Sequence, residues 1–175
     1  MISEIGTDTP SGGTRTWRQA YVNDRLISIP FEEEPWVNTA YACLQRASDK
    51  FANRQFLGAR SYGADGSRGA YEWQTYAEVY ADVLKYGVGM RVLCGLDSEG
   101  KAGEGQPRIG IYSINRPEWT KSLFGAFSQR IAVVPLYDTL GPDAAAYIIN
   151  HAELTTVCCE RSKLAPLLRA AAAAR

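Results

Sequence analysis

The sequence predicts an α/β fold: an incomplete doubly wound, mainly parallel sheet with a preceding β-hairpin. Three observations carry that expectation. Between Arg108 and Ala174 short apolar runs alternate with helix-periodic segments, the pattern of strands joined by crossover helices. The runs themselves, Arg108 to Tyr112, Ile131 to Val134 and Thr155 to Cys159, do not alternate polar with apolar, as expected of strands covered on both faces. Upstream, two strand candidates flank Asp65-Gly66, a dipeptide suited to a tight hairpin turn.

Taken in order, residues 1–35 carry turn formers and charge without a sustained period, and are expected to form a loosely ordered arm. Ile27, Ile29 and Phe31 offer one short edge strand within it. Residues 36–175 form the second predicted region. There Val37, Ala40, Tyr41, Leu44, Ala47 and Phe51 recur at helical spacing, predicting a helix over 37–52. Phe56 to Tyr62 and Tyr71 to Trp73 form the two arms of the hairpin. Thr75 then opens a helix, with Glu78 at the spacing that lets the two side chains satisfy each other's amides. Tyr76, Val79, Tyr80, Val83 and Leu84 mark its apolar stripe, and the Gly87 and Gly89 pair is expected to end or loosen it. A Gly-rich, charged loop fills 96–107. Beyond it, Pro117 starts one helix near its first position. Gly141-Pro142-Asp143 starts another, and Ser162 is a candidate cap for the last.

Composition removes several function classes. Nineteen basic residues balance nineteen acidic ones, without the basic excess of a nucleic-acid binder. No apolar run approaches the roughly 18–20 residues of a membrane span, and Met1 to Pro10 lacks the apolar core of a signal peptide. Cys43, Cys94, Cys158 and Cys159 contain no C-x-x-C pair, so zinc-ligand spacing is absent and reduced thiols are expected. Adjacent Cys158 and Cys159 face opposite ways if they lie in a strand.

His151 is the single histidine. It falls at the end of a predicted helix, where a cation favours the negative end of the dipole, so capping is the default reading. A Cys158–His151 dyad is the catalytic alternative, and no third residue orients it. Glu32, Glu33 and Glu34 are adjacent and suit a solvated face. Neither Ser11 to Thr14 nor Gly100 to Gly105 sits between a strand and a helix, so neither qualifies as a phosphate turn. Tyr137-Asp138-Thr139 lies just past the second parallel strand, at the end where open α/β sheets bind ligands. Position makes it the best site candidate, although Asp138 and Thr139 are also good turn and cap residues.

Two strings are more specific. Asn115-Arg116-Pro117-Glu118-Trp119 follows the strand IGIYSI. Then Val134-Pro135-Leu136-Tyr137-Asp138-Thr139-Leu140-Gly141-Pro142-Asp143 leads into AAAYIINHAE. Together with FLGARSYGADGSRGAYEWQTYAEV upstream, they resemble the amino-terminal region of long-chain acyl-CoA synthetases, the AMP-forming fatty acid–CoA ligases of the adenylate-forming superfamily. The plant-type peroxisomal branch is the most similar, and the likeness covers about residues 35–168.

The resemblance implies the amino-terminal subdomain of a parent enzyme that uses ATP, Mg²⁺ and CoA to turn a fatty acid into acyl-CoA, AMP and pyrophosphate. It implies no nucleic-acid partner, a possible peripheral membrane association of the parent, and peroxisome or endoplasmic reticulum as the compartment. The family's Ser/Thr/Gly-rich phosphate loop ending in Pro-Lys-Gly, and its Tyr-Gly-x-Thr-Glu type motif, do not occur in these 175 residues. No catalytic, cofactor-binding or metal residue is therefore carried over. Asn115 to Trp119 and Pro135 to Pro142 are expected to act as scaffold, and the chain alone is expected to be a truncated, inactive piece that binds no cofactor well. A non-catalytic half-domain serving as a partner or regulatory module is the competing expectation.

Overall fold

A computed structural model describes residues 2–4, 17–19, 30–96, 106–137 and 143–174, in two compact units, Met1–Thr39 and Ala40–Arg175. In the first unit, strands β1 (Ile2–Glu4) and β2 (Trp17–Gln19) pair antiparallel. Within the segment expected to be a loosely ordered arm, these two short strands are the regular structure among the described residues. Phe31 lies outside any strand, and Ile27 and Ile29 lie outside the described residues.

The second unit opens with helix α1 (Ala40–Phe51), which starts three residues later than the periodicity suggested. The hairpin follows as β3 (Gln55–Tyr62) and β4 (Arg68–Thr75), with Arg60 opposite Tyr71 and Tyr62 opposite Arg68. Its turn is built as Asp65-Gly66 predicts. Gly66 takes φ 81°, a left-handed conformation that costs glycine little, and Asp65 Oδ1 accepts the Ser67 amide at 3.0 Å.

Helix α2 (Tyr76–Leu93) is capped by Thr75, and the reciprocal bonds with Glu78 are both present. Contrary to expectation, Gly87 and Gly89 do not end this helix; it runs to Leu93, and Gly95 at φ 61° turns the chain away. The reason lies across the interface with α3 (Pro117–Ser128). Gly87 faces Gly125 so closely that a Cβ on Gly87 would stand 3.0 Å from the Gly125 carbonyl oxygen. The glycine is there for packing.

Strands β5 (Arg108–Tyr112), β6 (Ala132–Pro135) and β7 (Val157–Cys159) form a parallel sheet in the order β6-β5-β7. Helix α3 carries the chain from β5 to β6. Helix α4 (Ala144–His151) carries it back past β5 to β7, and α5 (Leu164–Ala173) follows. The pleat divides the apolar side chains between two cores. On one face Ile109 packs with Met90, Ala126 and Ile131, and Cys158 joins that cluster. On the other, Tyr112 packs with Leu136, Ala145, Ile149, Leu154 and Leu167, joined by Cys159. A third cluster, Leu44, Val79 and Val83 with Phe56 and Leu57, anchors α1, α2 and the hairpin. Helices thus cover both sheet faces, as the unalternating strands implied. Leu84, placed in the apolar stripe of α2 by periodicity, is 42% exposed; Gly87 and Met90 continue the buried side instead.

Ser162 does not cap the last helix. Its hydroxyl donates to Glu160 Oε1 at 2.6 Å, a single 3₁₀ turn (Arg161–Lys163) intervenes, and α5 starts behind Lys163 without a side-chain cap. Among the described residues, no helix is long and apolar enough to cross a membrane.

Candidate functional site

β5 is the central strand, and its neighbours are reached by crossovers in opposite directions, so the strand order reverses beside its carboxyl end. Open α/β sheets bind ligands at such a point because the diverging loops leave a crevice. A cleft of about 500 Å³ occupies that position, walled by Ser113, Arg116, Trp119, Cys158 and Glu160. The strand lengths put the polar residues there. β5 ends at Tyr112 and β7 at Cys159, so Ser113 and Glu160 emerge side by side, with the Glu160 amide donating to the Tyr112 carbonyl at 3.2 Å.

Around them lies a closed polar network. Glu160 is nearly buried, its side chain 8% exposed. It accepts from Ser162 at 2.6 Å and Ser113 at 3.3 Å, and stands 4.0 Å from Arg116 Nη1. The hydroxyl bonds from Ser162 and Ser113 hold its carboxyl below the usual carboxylate range. Arg116 donates from Nε to Glu118 Oε2 at 2.6 Å, which lowers the Glu118 carboxyl and raises the guanidinium. Pro117 supplies the first helical residue of α3, and its missing N–H costs nothing there.

The structure therefore gathers Arg116, Glu118 and Trp119 of the first string around the switch-point cleft. Asn115 and Pro117 line a second cleft next to it. Of the second string, Pro135 is the last residue of β6, Leu136 is buried in the α4–α5 core, and Tyr137 is 58% exposed. Asp138, Thr139, Leu140, Gly141 and Pro142 lie outside the described residues, as does most of the 96–107 loop. Sequence reasoning missed Ser113 and Glu160, whose only signal was a polar residue directly after each of two apolar strands, and it read Ser162 only as a helix cap.

This set does not fit a nucleotide phosphate by itself. Its two arginines, Arg116 and Arg161, face two carboxylates, Glu118 and Glu160; Arg116 is already paired with Glu118, and Glu160 would repel an incoming oxyanion. Among the described residues no group of three His, Cys, Asp or Glu side chains is arranged to hold a metal ion. The dyad of Cys158 and His151 is not assembled. Arg108, the first residue of β5, donates to the Ala152 carbonyl, which places the end of α4 at the opening end of the sheet. Cys158 sits beside Ile111 toward the far end. His151 instead stacks on Tyr147, with centroids 5.4 Å apart.

Comparison with known proteins decides the family. The model of the AMP-binding enzyme family matches residues 44–175. The chain belongs to that family. It is 37% identical over 133 residues to long chain acyl-CoA synthetase 4 of Arabidopsis thaliana, covering 76% of this chain and 19% of the relative. It is 32% identical over 158 residues to long chain acyl-CoA synthetase 7, peroxisomal, of the same plant, covering 90% and 21%. The plant-type likeness holds, with the peroxisomal relative one of several rather than the most similar branch. The AMP-binding fold is also seen in the crystal structure of the anthranilate CoA ligase AuaEII in complex with anthranoyl-AMP. That structure aligns at TM-score 0.60 and 18% identity over 77% of this chain and 22% of that one. The chain spans about a fifth of the length of the relatives it matches.

Proposed function

We propose that this chain forms the amino-terminal α/β portion of a long-chain fatty acid–CoA ligase, which joins a fatty acid to CoA with cleavage of ATP to AMP and pyrophosphate. The observation that supports the reading most is the placement of the two family strings. Both leave the carboxyl ends of adjacent parallel strands, β5 and β6, within a family match that spans most of the chain. In this reading Arg116, Glu118, Ser113 and Glu160 lock the loop after β5 in place. Leu136 pins the segment after β6 into the core. They shape one wall of the enzyme and perform no bond-making step.

The chain alone is then inert. Purified protein mixed with ATP, Mg²⁺, CoA and palmitate is expected to release no AMP above background, and sustained turnover would overturn the inertness. The parentage has its own test: residues 44–175 exchanged for the matching stretch of the Arabidopsis synthetase 4 should preserve palmitoyl-CoA formation. A chimera that folds yet is inactive, with ATP binding intact, would count against it.

A second reading, a partner or regulatory half-domain, draws on one observation. Among the described residues, β6 and β7 each pair on a single side, leaving two open sheet edges. Size-exclusion chromatography separates the readings: a monodisperse monomer over a hundredfold concentration range opposes edge pairing.

A further inference from the structure

The hairpin carries a feature that a scaffold role does not use. Gly58, Arg60 and Tyr62 of β3 line one cleft together, although the pairing with β4 shifts register between Arg60 and Tyr62. Arg60 faces Tyr71 across the hairpin and Tyr62 faces Arg68. The Arg60 guanidinium lies 4.8 Å from the centre of the Tyr71 ring, and its Nη1 donates to the Gly69 carbonyl at 3.3 Å. One hydrogen bond and one ring contact fix its position while most of its five donors stay available. Tyr62 is 68% exposed, and its cross-strand neighbour Arg68 is also exposed. An exposed aromatic ring is thus flanked by two cations, one positioned along its own strand and one opposite.

This face is not a flat surface. With Ile114 to Glu118 and Thr120 it bounds a cleft of about 790 Å³, within the range of small-ligand sites. The far wall brings a third arginine, Arg116, neutralised by Glu118. The lining charge is three arginines against one glutamate.

We propose that this cleft is a binding site for a small aromatic phosphate, its dianion held by Arg60 and Arg68 and its ring laid against Tyr62. Guanidinium groups match phosphate oxygens in a bidentate fork, and an aromatic face accepts a flat ring at little entropic cost. Glu118 faces the same cleft and opposes the ligand, both by its charge and by occupying Arg116. The site adjoins the switch-point cleft and shares Arg116 and Glu118 with it, but Arg60, Tyr62 and Arg68 line this cleft alone, and the proposal stands whether or not the ligase reading does.

The test uses the full 175-residue chain and three probes: phenyl phosphate, inorganic phosphate and phenol. Titrations followed by ¹H–¹⁵N NMR are expected to show saturable shifts at Arg60, Tyr62, Arg68 and Tyr71 with phenyl phosphate. Inorganic phosphate should bind at least tenfold more weakly, and phenol should not saturate. Arg68→Gln, at an exposed position, should weaken phenyl phosphate at least fivefold. Tyr62→Ala should remove the advantage of phenyl phosphate over inorganic phosphate. Glu118→Gln should tighten binding, a change of opposite sign that loss of folding cannot produce. The proposal is overturned by absence of saturation at 10 mM phenyl phosphate, by affinity unchanged in Arg68→Gln, or by shifts centred on Ser113 and Glu160 instead.

Discussion

The Nζ atom of Lys121 on α3 lies 2.7 Å from Oδ2 of Asp82 on α2, with the lysine side chain only 9% exposed. Lys85 approaches the other oxygen of the same carboxylate at 3.3 Å from the solvent side. The hydrogen bond from Lys121 holds the Asp82 carboxyl below its ordinary range. Asp82→Asn strands a nearly buried ammonium, so it should destabilise the chain by about 2 kcal/mol. Because the folded pKa is lowered, the stabilisation is fully present above the unfolded value of about 3.9 and is lost as pH falls through the folded value. Urea denaturation of wild type and variant should therefore differ by a constant amount between pH 5 and 7 and converge below about pH 4.

The contact between Gly87 and Gly125 sets how closely the same two helices approach. A Cβ on Gly125 would stand 3.0 Å from the Gly87 amide nitrogen and 2.9 Å from Tyr86 Cβ, atoms that cannot swing aside. An alanine gains up to about 1 kcal/mol of helix propensity, but prying the helices apart costs about 1–3 kcal/mol. Gly125→Ala should lower the urea midpoint. Gly89→Ala, where a Cβ meets nothing within 4 Å, should raise it.

Thr75 closes the amino end of α2 against Glu78, accepting the Glu78 amide at 3.3 Å while its own amide donates to Glu78 at 2.8 Å. Thr75→Ala should cost about 1 kcal/mol in denaturant titrations. Thr75→Ser, which keeps the hydroxyl, should cost much less.

Cys158 packs with Met90 and Ile109, and burial pushes its thiol above the usual range. A neutral thiol is a poor nucleophile. At pH 7.5 a disulfide reagent should label Cys158 far more slowly in the native chain than in 6 M urea. Fast native labelling would revive Cys158 as a candidate nucleophile.

Wherever the determinant was local, the sequence displayed it. Thr75 and Glu78 cap α2, Asp65-Gly66 turns the hairpin, Pro117 starts α3, and three apolar runs become the three strands of the parallel sheet. The errors share one cause. Gly87 reads as a helix breaker until Gly125 is known to face it, and Ser162 reads as a cap until Glu160 is known to take its hydroxyl.

For the candidate sites the division is sharper. The sequence by itself determined the α/β class, the strand and helix order from α1 onward, and the two strings that point to the AMP-binding family, because period, turn chemistry and strings are carried by neighbours along the chain. Tertiary structure alone decided that Ser113 meets Glu160, forty-seven residues away, and that Arg116 stands between two carboxylates. It also set the Arg60, Tyr62 and Arg68 face of the hairpin opposite the first turn of α3. Those are meetings across crossovers and between elements, set by which strand ends lie together and how closely helices pack, and no spacing along the chain encodes them.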